Sequence, residues 1–191
     1  MDRRGYLKTV VAVGVVGATS FSLFKWFDLN KRVDPGKLWD KREIIAEIAE
    51  LIIPETDTPG AKSAGVDRYI IDVMINCNPA RQQNKFYDGL VELEDYTIST
   101  FNKQFMGCTM VQKQSVLQHF AENAFFSNKI LNKINNKFFG QSFFSKIKNL
   151  TVEGYCLSRA GATAALAYDY VPGRFDACIS LQPNQKSWAT K

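Results

Sequence analysis

Apolar residues in this chain recur every three to four positions, and proline or glycine interrupts each run before it grows long. That period lines them along one side of a helix and would scatter them over both faces of a strand. From Asp40 the run DKREIIAEIAELII sets Ile44, Ile45, Ile48, Leu51 and Ile52 on one face, with Asp40 as the expected N-cap, Glu43 three residues on and Pro54 as the stop. VDRYIIDVMINC repeats the spacing through Val66, Tyr69, Ile70, Val73, Met74 and Cys77, until Pro79. A longer stripe through Phe86, Leu90, Leu93, Phe101 and Phe105 predicts a helix from about Arg81 to Phe105, stopped by Gly107. Val111 to Ala124 and Gln141 to Leu157 complete the set. No segment alternates with period two between turn signals, so the expected class is all-α. The domain expected is a single compact helical one over 40–191, ending from Tyr168 in an ordered irregular tail, YDYVPGRFDACISLQPNQKSWATK.

A hydrophobic fraction of 46%, with 14 Phe and 7 Tyr, is enough to fill one core and excludes global disorder. The net charge of +5 comes partly from the first residues, so it is no nucleic-acid footprint. Lysines do gather from Lys129 to Lys148, but Phe138, Phe139, Phe143 and Phe144 sit among them, as in a solvated helix face backed by an aromatic core face. The four cysteines, Cys77, Cys108, Cys156 and Cys178, form no C-x-x-C pair, which excludes a zinc ribbon, a thioredoxin-like dithiol and a haem attachment site. Disulfides in an oxidising compartment and buried free thiols both remain open.

The first residues read as an address. Asp2-Arg3-Arg4-Gly5-Tyr6-Leu7-Lys8 follows the twin-arginine pattern, in which Arg3, Arg4, Tyr6 and Leu7 are the signal residues. The uncharged run from Thr9 to Phe24 is diluted by Gly14, Gly17, Thr19, Ser20 and Ser22, which suits a signal segment better than a permanent span. The segment 1–27 is therefore expected to be a signal sequence, or, since no sharp cleavage site follows, an uncleaved anchor; 28–39 reads as a linker. The twin-arginine route carries folded cargo, so something in or with this chain must fold before export.

The residues offer little chemistry. The lone His119 lies inside a helical pattern with no partner ligands in sequence, and a metal needs three or four. Glu55 and Asp57 in PETDTPG lack the oxygen-ligand spacing of a calcium loop. Thr58 followed by Pro59 reads instead as the cap of the next helix. Ser158 and Ser180 have no nucleophile-elbow setting, and neither dinucleotide nor phosphate-cradling glycine motifs occur. No catalytic, cofactor-binding or metal-ligating set is expected. SRAGATAALAY, from Ser158 to Tyr168, is nearly all small residues, suited equally to tight packing within the domain and to a docking surface.

Three stretches together carry a resemblance: IIPETDTPGAKSAGVDRYIID (Ile52 to Asp72), LTVEGYCLSRAGAT (Leu150 to Thr163) and VPGRFDACISL (Val171 to Leu181). In order and spacing they resemble the small subunit, subunit 3, of membrane-bound gluconate 2-dehydrogenase and its relatives in FAD-dependent sugar dehydrogenases. The resemblance implies a non-catalytic chain with no cofactor of its own, bound to a large flavoprotein subunit that holds FAD, with a cytochrome c subunit as an onward electron carrier. It further implies periplasmic localisation, with the Tat translocase moving the folded pair on this chain's signal and the N-terminus as a tether to the inner membrane. The expected partner interface is Glu55, Asp57 and Thr58 in one loop and Arg174, Phe175 and Asp176 in the tail, since loops carry recognition on a helical scaffold. Arg174 could pair with a partner carboxylate or with Asp176 or Asp169. Cys178 is the residue expected for an inter-subunit disulfide, while Cys77 and Cys156, in apolar helical patterns, are expected to be buried. The alternatives are a free-standing periplasmic enzyme using Glu55, Asp57 and Arg174, or a membrane-tethered binding module without a flavoprotein partner.

Overall fold

The helix expected from Asp40 starts two residues later and is preceded by another. The computed structural model describes residues 33–124, 141–171, 173, 178, 180, 181 and 183–189. In it α1 spans Pro35–Asp40 and α2 spans Arg42–Ile52. Asp34 caps α1 by accepting the Gly36 amide at 3.2 Å, and Pro35 occupies the first turn, where its missing N–H is no loss. Asp40 is thus the last residue of α1 and not the cap of α2. The end of the stretch read as linker belongs to the folded body, because Leu38 is fully buried.

The remaining helices are α3 (Val66–Cys77), α4 (Ala80–Phe101), α5 (Met110–Glu122) and α6 (Phe143–Leu157), with a 3-10 turn at Phe105–Gly107 and a π turn at Gly161–Ala165. The described residues contain no strand; an isolated bridge joins Ala167 and Trp188. The all-α expectation holds for them. None of their helices is long and apolar enough to cross a membrane.

The long helix stops four residues short of its expected end. Asn102 takes the left-handed conformation (φ 52°) that asparagine tolerates, and its amide closes on the Ile98 carbonyl at 2.8 Å. Phe105 therefore enters the core from the separate 3-10 turn, where it is wholly buried. Thr109 then opens α5 with a reciprocal cap: its hydroxyl accepts the Gln112 amide while the Gln112 side chain accepts the Thr109 amide. Ser142 opens α6 by accepting the Ser145 amide at 3.3 Å.

The apolar stripes meet in one core. Ile45 and Ile48 of α2, Ile70, Ile71 and Met74 of α3, Phe86, Leu90 and Leu93 of α4, Val116 of α5 and Ile147 of α6 are all but excluded from solvent. α3 packs against both α2 and α6, and α4 against α5 and α6. One expectation about the stripes fails: Cys77 is exposed and Cys156 only partly covered, whereas Cys108 is buried. Cys77 ends α3, so its place on the apolar face extends past the neighbours that would cover it. Cys108 follows the buried 3-10 turn, and its thiol donates to the Gln104 carbonyl at 3.5 Å. All four thiols are free.

Candidate partner-binding surface

The PETDTPG loop leaves α2 and is fastened by a residue that sequence reasoning missed. Glu50, in the last turn of α2, accepts the Glu55 amide with one carboxylate oxygen and the Lys62 amide with the other, each at 2.8 Å. The Ala61 amide donates to the Ile53 carbonyl at 2.9 Å, and the Tyr155 hydroxyl of α6 donates to the Pro59 carbonyl at 2.7 Å. Glycine at position 60 leaves the clamp its room, since a Cβ there would lie 2.3 Å from a Glu50 oxygen. The signal for Glu50 was a carboxylate near a helix C-terminus, where the macrodipole disfavours it unless it finds donors.

Thr58 does not cap the next helix. That helix begins at Val66 behind Gly65, which is left-handed (φ 71°), and residues 61–65 form a turn between the two. Thr58 sits half-buried in the loop tip, its amide donating to the Thr56 hydroxyl at 3.4 Å. Glu55 and Asp57 lie in the same tip, both exposed, with the Thr56 hydroxyl donating to Asp57 at 3.0 Å. The structure thus brings these three loop residues together on a braced base. Arg174, Phe175 and Asp176, like Arg3, Arg4, Tyr6 and Leu7, lie outside the described residues.

Buried charge is spent inside the bundle. Ion pairs lead from α2 and from Lys41 just before it to their neighbours: Lys41 to Glu94 of α4, Arg42 to Asp67 of α3, and Glu47 to Lys113 of α5 at 2.7 Å and to Lys62 at 3.4 Å. The Lys113 ammonium beside Glu47 holds its carboxyl below the usual range, against the opposing pull of burial. Among the described residues no buried side-chain nitrogen or oxygen lacks a partner.

His119 lies partly exposed on α5, stacked on Tyr96 of α4 with ring centroids 4.1 Å apart, its Nε2 at 3.1 Å from the Asn123 amide nitrogen. It borders a groove of about 280 Å³ shared with Lys85, Asp88, Glu92 and Phe143. The described residues hold no cluster of three or more His, Cys, Asp or Glu placed to bind a metal.

The small-residue stretch is used for internal packing at its centre. Ser158 ends α6 with its hydroxyl on the Tyr155 carbonyl at 2.7 Å and accepts the Gly161 amide at 3.0 Å. A Cβ on Gly161 would stand 2.0 Å from the Tyr155 carbonyl oxygen, so only glycine allows the π turn to sit this close. Beyond it, Cys178 is exposed.

The model of the family gluconate 2-dehydrogenase subunit 3 matches residues 40–173. The chain belongs to that family. The match takes in the braced loop, the bundle and the π turn, so a subunit 3 chain is what these features serve: an accessory subunit of a dehydrogenase complex, associated with its other subunits. No curated protein and no solved structure matched the chain.

Proposed function

We propose that this chain is the non-catalytic small subunit of a periplasmic FAD-dependent dehydrogenase acting on a sugar or on gluconate. FAD is held by the large flavoprotein subunit, a cytochrome c subunit takes the electrons onward, and the Arg3-Arg4 segment serves as the export signal for the folded pair through the Tat translocase. The observation that carries this reading is the subunit 3 family match over residues 40–173.

The chemistry of the chain supports it. The buried charges Asp67 and Lys113 are neutralised across helices and so are committed to holding the bundle. Glu55 and Asp57 stand exposed at a loop tip, where water screens them and, among the described residues, no second group is held opposite to move a proton. Such a chain contributes surface and stability to a partner rather than a reacting atom. A folded flavoprotein must leave the cytoplasm with its FAD in place, which requires a route for folded cargo and a signal it can borrow.

The test is to express the large flavoprotein subunit with and without this chain and to assay dehydrogenase activity in the periplasm with an artificial electron acceptor. Activity is expected to fall to background without the chain, and equally with Arg3→Lys and Arg4→Lys together, with the flavoprotein then retained in the cytoplasm. Unchanged periplasmic activity in the chain's absence would overturn the proposal.

A further inference from the structure

The segment after the π turn doubles back on itself. The Ala167 amide donates to the Ser187 carbonyl at 2.8 Å, the Ala189 amide donates to the Ala167 carbonyl at 2.9 Å, and Lys186 Nζ donates to the Ala164 carbonyl at 2.6 Å. These bonds form a neck that holds residues 186–189 against Ala167 and the π turn, and the described residues between, among them Tyr168, Tyr170, Val171 and Leu181, make up an arm on that base.

What the arm presents is apolar. Tyr170 and Leu181 are each 85% exposed, Val171 69%, and Tyr168 and Trp188, which flank the neck, 48% and 56%. At 150–250 Å² for a whole aromatic side chain, the three rings alone offer on the order of 400 Å² of open surface. That equals an ordinary monomer's largest apolar patch. It is about half of the ~800 Å² that one partner gives to a specific interface. Tyrosine and tryptophan are also the residues on which interface energy concentrates.

We infer that this arm is the docking element for the flavin-bearing subunit of the complex, with Tyr168, Tyr170 and Trp188 as its anchors. The inference rests on the reading under Proposed function. The occupant follows from membership in a family of complex subunits, and from an area that fits a share in a larger interface. The neck gives the anchors a fixed base, so that less of the arm has to be ordered on binding.

The full chain, tagged and expressed in its own cells with its complex, is purified beside two variants. One carries Tyr168→Asp, Tyr170→Asp and Trp188→Asp; the control carries Met110→Asp and Val111→Asp, exposed positions on α5. Flavin fluorescence and mass spectrometry measure the flavin-bearing subunit recovered. Wild type and control should retain it, and the arm variant should lose at least about tenfold, with helical circular dichroism unchanged. Retention by the arm variant at the wild-type level overturns this inference and leaves the proposed function standing. Failure of the wild type to retain any flavin-bearing subunit overturns both. A wild type that instead forms a dimer of this chain, dissolved by the arm substitutions, overturns the inference in favour of self-association. Hydroxyl-radical footprinting of the wild-type complex gives a reading that needs no variant: Tyr170 and Trp188 should be protected relative to the free chain, and full reactivity in the complex overturns the inference.

Discussion

The helical body and the C-terminal arm handle the same kinds of residue in opposite ways. In the body, Phe86 and Phe105 are wholly enclosed and Lys113 is buried against Glu47, so apolar and charged groups alike are satisfied by the chain itself. In the arm, Tyr170 and Leu181 face solvent, and backbone bonds at the neck fix only its base. The difference teaches where stability and recognition reside. Residues that hold the fold together should have large thermodynamic effects and little role in partner choice, and the arm the reverse.

The sharpest break in that comparison would come from the core. Phe105→Ala removes a ring with no solvent exposure from a turn whose other two residues are exposed, and should cost about 3–5 kcal/mol, read from urea unfolding. A loss below about 1 kcal/mol would mean that the 3-10 turn is not part of the core. Next in size is Glu47→Ala, which leaves the Lys113 ammonium buried without its carboxylate. A fully buried pair broken this way costs about 3–5 kcal/mol; Lys113 and Glu47 keep a little solvent, so about 2 kcal/mol is expected, a lowering of Tm by roughly 4–8 °C.

The same pair sets a pH dependence. Glu47 is held below its ordinary value of 4.5 in the folded state, chiefly by its hydrogen bond from Lys113. The unfolded chain therefore binds the proton more readily, and the pair's contribution is fully present above about pH 4.5 and lost as pH falls through the lower folded value. Tm of the wild type should decline over that acid window more steeply than Tm of Glu47→Gln, which has no such proton to take up. Parallel curves would show that the pair is not linked to folding.

How much of this was legible depended on whether the cause was local. The stripes of α2 and α3 were readable because Ile44, Ile45 and Ile48, or Ile70 and Met74, encode their own face through spacing alone. α1 was missed because Pro35-Gly36 reads as a turn, although Asp34 before a proline is also a helix start. Spacing assigns a face but not the reach of the neighbour, which is why Cys77 was misplaced. Glu50 left only the cue of a carboxylate near a helix C-terminus, and the Tyr155 brace of the loop and the Glu47–Lys113 pair were not legible at all. Glu47 meets Lys113 at a separation of 66 residues and Tyr155 meets Pro59 at 96, distances over which a single sequence holds no periodic signal. The loop itself was singled out for its tip residues rather than for Glu50 beneath it.

A middle case lies on the boundary between the two regions. Gly60→Ala places a Cβ against the Glu50 carboxylate, whose flexible end must swing away and release the Glu55 and Lys62 amides. Losing these bonds should cost about 1–2 kcal/mol. Hydrogen exchange should quicken at the Glu55 and Lys62 amides while the interior amides of α3 and α4 keep their protection. Quickening throughout the bundle would place the loop in the body rather than on it.

The smallest effect is the one that discriminates best. Tyr170→Ser changes a ring that is 85% exposed, so the isolated chain should unfold within about 0.5 kcal/mol of wild type. That near-silence is informative because tyrosine in the body behaves otherwise: Tyr155 is buried and its hydroxyl holds the Pro59 carbonyl, so Tyr155→Phe should cost about 1 kcal/mol through one lost bond alone. Two tyrosines fifteen residues apart in sequence would then separate the regions by stability, read from the midpoints of the same denaturant titration. If Tyr170→Ser instead lowered the midpoint as much as Tyr155→Phe, the arm would be packed against the body in solution, and its aromatic residues would be completing the core rather than waiting for a partner.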